Sequence, residues 1–227
     1  MNMEDKPAPV SRRNRPAKAP LSRETIVATA LALLEKDGLE GLSLRRVATQ
    51  LDTGPASLYV YFANLNDLHA EMLDAAFAEV ALPQTRKGNW RARLKTLLTS
   101  YLMVLYNKRG LAQLAMMQVS GGPNALHIVE KMLELLMEGG VLATRAALAV
   151  DALLLHVTAV AAEQCNWRDK GHDLERAKTI LNSLSPEEFP LLYASRDQFF
   201  TSTPKSRFYW ALDVIIDGVL AAPLPDD

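Results

Sequence analysis

Apolar residues recur at spacings of three and four along most of this chain, and the clearest punctuation lies between residues 42 and 62. Leu44, Val47, Ala48 and Leu51 form one inward stripe and leave Arg45, Arg46, Thr49 and Gln50 towards solvent, which predicts a short amphipathic helix. Ser43 stands where its side-chain oxygen caps that helix, and Leu42 and Val47 occupy the two positions of a hydrophobic staple. Asp52-Thr53-Gly54-Pro55 ends it: Asp tolerates left-handed backbone, Gly turns freely, and Pro suits the first position of a following helix. In that second helix Leu58 and Phe62 sit one turn apart and face inward. Ser57, Tyr59, Val60 and Tyr61 are left to project from its other sides.

The same logic extends on both sides. Ile26, Val27, Ala30, Leu33 and Leu34 predict an earlier helix that opens at Leu21-Ser22 and closes at Gly38. Asn64 caps a fourth helix, with Asp67 three residues on and Leu68, Met72, Ala75 and Ala76 as its apolar stripe. Three helices leading into a connecting helix make a helix-turn-helix head. Hydroxyls on its third helix reach phosphates or base edges, and apolar parts there meet thymine methyls. Two short amphipathic helices joined by a turn also occur in all-α proteins that never meet DNA. An α-helical adaptor that binds another protein is therefore the competing reading.

Residues 21–68, LSRETIVATALALLEKDGLEGLSLRRVATQLDTGPASLYVYFANLNDL, resemble the TetR family of bacterial one-component transcriptional regulators. A weaker resemblance lies near the C-terminus, where EEFPLLYAS and RFYWALDVIIDGVLA are similar to the closing segment of tetracycline-repressor-like C-terminal domains. Together they cover about a third of the chain. The resemblance implies that Arg45 contacts a base or phosphate and that Ser57, Tyr59, Val60 and Tyr61 lie on the recognition helix. Tyr59 falls at the tyrosine that meets the DNA backbone, and Asn64 caps a helix whose N-terminus faces a phosphate. Ser43, Thr53 and Pro55, at the borders of the two helices, complete the candidate DNA-binding set. Two positions depart from the family's habit: Asp52 stands where Gly is usual, and Leu65 stands where Lys is often found. Both lower the local positive charge.

Compensation is sought in the N-terminal arm. Lys6, Arg12, Arg13, Arg15, Lys18 and Arg23 are interleaved with four prolines and no acidic residue, a segment unable to bury a core. It reads either as an arm that adds phosphate or minor-groove contacts or as a solvated tail. The whole chain has a formal net charge of −1, which excludes a globally basic nucleic-acid coat protein. Residues 1–66 nevertheless carry nine Lys and Arg against seven Asp and Glu, so the positive balance sits on the proposed DNA side. The single cysteine, Cys165, excludes an internal disulfide and suits a reducing cytoplasm; it reads as a small buried hydrophobe. No apolar run follows the basic N-terminus, so secretion is not expected. The most apolar stretch, 146–162, is interrupted by Asp151 and His156 and reads as a buried helix, with no membrane partner.

From residue 90 onward the pattern is helical, with helices expected over 90–107, 111–119, 124–138, 143–168, 173–182 and 207–220 and an irregular stretch over 186–204. The expected fold is all-α: a basic arm (1–20), a three-helix DNA-binding head (21–66), and a larger helical ligand-binding and dimerisation domain (67–227). The helices at 143–168 and 207–220 carry more apolar surface than one monomer face needs. The resemblance implies that they pair in a homodimer, which sets two recognition helices about 34–36 Å apart on double-stranded operator DNA. Met103, Met116, Met117, Met132 and Met137 gather in the same domain with Tyr106, His127, His156 and Trp167. Methionine adapts to irregular apolar shapes, so Met103, Tyr106, Met116, Met117, His127, Met132, His156 and Trp167 are the candidate lining for a small-molecule effector. Ordinary core filling is the other reading of each methionine. There is no P-loop, GxSxG, HExxH or CxxC, and the four histidines lack the close spacing of a zinc site. No enzyme, metal or cofactor is implied. The expectation is a cytoplasmic, ligand-responsive regulator, with repression following family habit.

Overall fold

In a computed structural model of the chain, which describes residues 21–84, 89–171 and 174–224, the first helices open at the side-chain caps that the sequence marks. Ser22 Oγ accepts the Thr25 amide at 3.2 Å and starts α1 (Arg23–Asp37), which Gly38 ends in left-handed backbone (φ 74°). Ser43 Oγ accepts the Arg46 amide at 3.2 Å and starts α2 (Leu44–Gln50). Asp52 takes a φ of 50° after it, the only left-handed position among the described non-glycine residues. Pro55 then begins α3 (Pro55–Leu58). Asn64 Oδ1 accepts the Asp67 amide at 3.0 Å while Asp67 Oδ2 accepts the Ala63 amide at 3.1 Å, a reciprocal pair that opens α4 (Leu65–Phe77).

The body is built by α5 (Trp90–Asn107), α6 (Leu111–Met117), α7 (Pro123–Glu138), α8 (Ala143–Lys170), α9 (Leu174–Asn182), α10 (Pro190–Ser195) and α11 (Pro204–Ala221). There is no strand among the described residues. Several boundaries move from expectation. α6 stops two residues early because Gln118 is already extended. α11 starts three residues early because the Thr203 hydroxyl caps it, accepting the Ser206 amide at 3.1 Å. The stretch expected to be irregular holds α10 and a 3-10 turn, Arg196–Phe200. α8 packs against α5, α6, α7 and α11 and is the axis of the body. It is also long and apolar enough to cross a membrane by length and mean hydropathy (1.6), although this window is interrupted by Asp151.

One continuous buried cluster runs from Ile26 in α1 to Ile216 in α11. α4 makes it continuous. Leu68, Met72, Leu73, Asp74, Ala76 and Phe77 are all buried, whereas Ala75, expected in the stripe, faces solvent. A helix packed on two sides buries more than one stripe, so a one-face pattern finds the helix but omits Leu73 and Phe77 and misplaces Ala75. Leu97, Leu98 and Leu105 of α5 are fully buried at the centre, where truncation to Ala costs about 2–5 kcal/mol each.

Candidate DNA-binding surface and cavities of the body

Leu58 and Phe62 anchor the end of the reading head, at 0% and 1% exposure, and so fix what the intervening residues present. Tyr59 is 58% exposed and Val60 82%. Pro55 and Asn64 are also exposed, as is Arg45 on α2, and Arg45 forms no ion pair among the described residues. Its neighbour Arg46 is engaged: Nη2 reaches Asp37 Oδ2 at 2.6 Å and Nη1 donates to the Gly41 carbonyl at 2.7 Å. Ser43 is half-buried in its capping role, and Thr53 Oγ1 donates to Ser57 Oγ at 3.2 Å, tying the turn to α3.

Two residues differ from the sequence-based picture. Tyr61 does not project freely: its hydroxyl donates to the Leu21 carbonyl at 2.6 Å, pinning the chain that enters α1. Arg23, grouped with the arm by charge, is the first residue of α1. It donates to the Tyr61 carbonyl at 2.5 Å and to Glu71 Oε1 at 2.6 Å, with its guanidinium 4.6 Å from the Phe62 ring centroid. Residues 1–20, and with them the other five basic arm residues, lie outside the described residues. Leu65, at the position where the family often has a lysine, is half-buried against the core.

Two separate cavities of the body take in residues of the expected effector lining. A central one of about 450 Å³ lies among α4, α5, α6, α7 and α8 and is lined by Phe77, Tyr101, Met116, Ser120, Ile128 and Thr158, among others. Tyr101 and Thr158 hydroxyls are 3.0 Å apart, and Phe77 packs tilted on Tyr101 with centroids 5.3 Å apart. Burial pushes the Tyr101 phenol above its ordinary pKa, so it stays a neutral donor. A second cavity of about 580 Å³ lies between α8 and the start of α11, lined by His156, Glu163, Trp167, Arg207, Phe208 and Trp210, among others. His156 stacks on Phe208, centroids 6.3 Å apart, and burial lowers its pKa.

The eight candidate effector residues are thus not one lining. Met116 borders the central cavity, and His156 and Trp167 share the other. Met132 is fully buried packing, Met103 and Met117 face solvent at 42% and 74% exposure, and His127 is exposed. Tyr106 is half-buried under Arg168, which also donates to its carbonyl at 2.7 Å. The hydroxyl pair of the central cavity leaves no signal in the sequence, because its members are 57 residues apart and each sits in an ordinary apolar stripe.

Leu148 and Leu155 of α8 and Trp210 and Val214 of α11, two helices in contact, are large apolar side chains left exposed.

Comparison with known proteins agrees with this architecture. The family model for bacterial regulatory proteins of the tetR family matches residues 26–72, and that for the tetracyclin repressor-like C-terminal domain matches residues 82–222. The HTH-type transcriptional repressor DrrR1 of Streptomyces coeruleorubidus is 34% identical over 130 residues; the match covers 56% of this chain but only about half (48%) of that protein. The tetracycline repressor protein class A from transposon 1721 of Escherichia coli is 31% identical over 206 residues, which cover 88% of this chain and 90% of the repressor. The structure is similar to that of apo ActR from Streptomyces coelicolor, with a TM-score of 0.82 and 35% identity across 90% of this chain and 97% of ActR. ActR has also been solved in complex with actinorhodin, and that structure superposes with a TM-score of 0.81. A head whose buried anchors hold Tyr59 and Val60 outward, fused to a helical body with internal cavities, therefore has the sequence as well as the shape of a known class of regulator, and the chain belongs to the TetR family of bacterial transcriptional regulators, a family of DNA-binding proteins and not of enzymes.

Proposed function

We infer that this protein is a cytoplasmic, ligand-responsive repressor that binds a palindromic operator as a homodimer and releases it when a small molecule enters the helical body. The observation that carries this reading is the pairing of an outward Tyr59–Val60 tip, beside the exposed Arg45, with a hydroxyl-bearing cavity in the same continuous core. Residues 21–66 act as the DNA-binding head and 67–227 as the effector and dimerisation domain. Ser43, Thr53, Pro55, Ser57 and Asn64 shape the DNA-facing surface around Arg45, Tyr59 and Val60, and the basic arm of residues 1–20 adds phosphate contacts. The exposed faces of α8 and α11 pair two copies. In the central cavity, apolar walls with the Tyr101–Thr158 hydroxyl pair and Ser120 suit a flat, largely apolar molecule carrying a few hydrogen-bonding oxygens. The actinorhodin complex of ActR supports that class.

Selection of bound duplexes from a random pool tests the reading, with the outcome expected to be an inverted repeat. On the selected duplex, Tyr59→Ala and Arg45→Ala are expected to weaken binding by about 1–3 kcal/mol each, read by anisotropy at fixed salt. An adaptor that binds protein through the head selects no sequence and shows no shift.

A further inference from the structure

α7 begins without a cap of its own. Its N-cap residue is Gly122, which has no side chain to offer, and its first residue, Pro123, has no amide hydrogen. The Ala125 amide, which has no partner within its own helix, is instead met from another helix: Asp74 Oδ1, on α4, accepts it at 2.9 Å. Asp74 Oδ2 accepts from Asn124 Nδ2 at 3.0 Å, and the same amide group donates to the Asp74 backbone carbonyl at 3.1 Å. One turn earlier on α4, the Ala70 carbonyl accepts from Ser120 Oγ at 3.3 Å. The fit is close. A Cβ on Gly122 would lie 2.2 Å from Asp74 Cγ, so glycine is what lets the carboxylate reach the helix end. Asp74 is 8% exposed and has no Lys or Arg partner among the described residues. Among the described residues its charge is met by hydrogen-bond donors and by the positive end of the α7 dipole.

The position of this contact gives it a second property. Gln118, Val119, Ser120, Ala125 and Ile128, from the turn and helix that grip Asp74, line the central cavity, and so does Phe77, three residues beyond Asp74 on α4. At its other end α4 is tied to the head through Glu71 to Arg23 and through the buried Leu68 and Met72. We propose that Asp74 is the positioning residue that couples the cavity to the head: it holds α4 in register with the α7 N-terminus, so a molecule that spreads the cavity wall displaces α4 and the reading head with it. This rests on the central cavity being the effector site.

The test uses the full-length dimer, the selected operator duplex, and anilinonaphthalene sulfonate, a flat apolar anion, as the cavity probe. The quantity read is the ratio of operator Kd with saturating probe to that without it. Coupling between two sites is commonly about 5- to 150-fold, and a wild-type ratio in that range is expected. Asp74→Asn replaces one acceptor oxygen with a donor that faces the Asn124 and Ala125 donors. Asn124→Ala removes only the bridging amide and guards against a misfolded first variant. Both are expected to bring the ratio to within about twofold of one while each keeps probe binding to the free protein. A purely structural role would lower the melting temperature and leave the ratio unchanged. Wild-type coupling that persists in both variants overturns the latch and leaves the effector reading standing. A wild-type ratio of one overturns both.

Discussion

Tyr59 and Tyr61 lie two residues apart in the short turn after α3, and the fold gives them opposite tasks. Tyr59 points to solvent, and Tyr61 spends its hydroxyl on the Leu21 carbonyl 40 residues away. Tyr61→Phe is expected to lower stability by about 1 kcal/mol in urea unfolding and to leave operator affinity within about twofold, in contrast to Tyr59→Ala. The difference between them shows what a chain discloses at this scale. Ser22, Ser43 and Asn64 are legible as caps because each bonds an amide three residues on, and Asp52 because left-handed backbone is a local demand. Arg23, Tyr61, Asp74 and Tyr101 are not legible, since their partners lie 38 to 57 residues away and depend on how the helices are stacked. Arg23 misleads by its company, five basic residues upstream with which it shares only charge.

Among the elements, the long helices were readable from their stripes and their Gly or Pro punctuation, and the short ones were not. α10 has six residues and none of them is buried, so it shows no inward stripe to detect. The contact of α8 with α11 also carries a pH dependence. Burial holds the His156 pKa below its usual 6.5, and burial of His69 on α4 acts in the same direction. The unfolded chain therefore takes up these protons first. Stability is full above about pH 6.5 and falls as the pH drops through that value towards the lower folded pKa. The urea midpoint is expected to decrease between about pH 7.5 and pH 5.5, and His156→Gln is expected to flatten that slope. A midpoint that rises on acidification would contradict the burial argument.

For the whole molecule, the neighbouring helices α8 and α11 leave Leu148, Leu155, Trp210 and Val214 exposed. Large apolar side chains exposed together on two packed helices are ordinarily covered by a partner. Leu155→Arg is expected to convert the protein to monomers in sedimentation equilibrium. It should also cost about a hundredfold or more in operator affinity, because two half-sites are then no longer gripped by one particle. Sequence patterning identified this face through the surplus of apolar residues on two helices. It does not reveal that the expected effector residues fall in separate cavities, because a count of methionines says nothing of which wall each one joins. The unbroken core has a practical consequence for anyone building hybrid regulators. Exchanging heads by cutting between residues 66 and 67 would separate α4 from the first helices it packs on, and cutting after α4 instead would pair a foreign connecting helix with a glycine slot shaped for an aspartate. A transplantable reading module from this chain must carry α4 together with the 120–125 turn, or be given a new junction in which a buried acceptor again closes the start of α7.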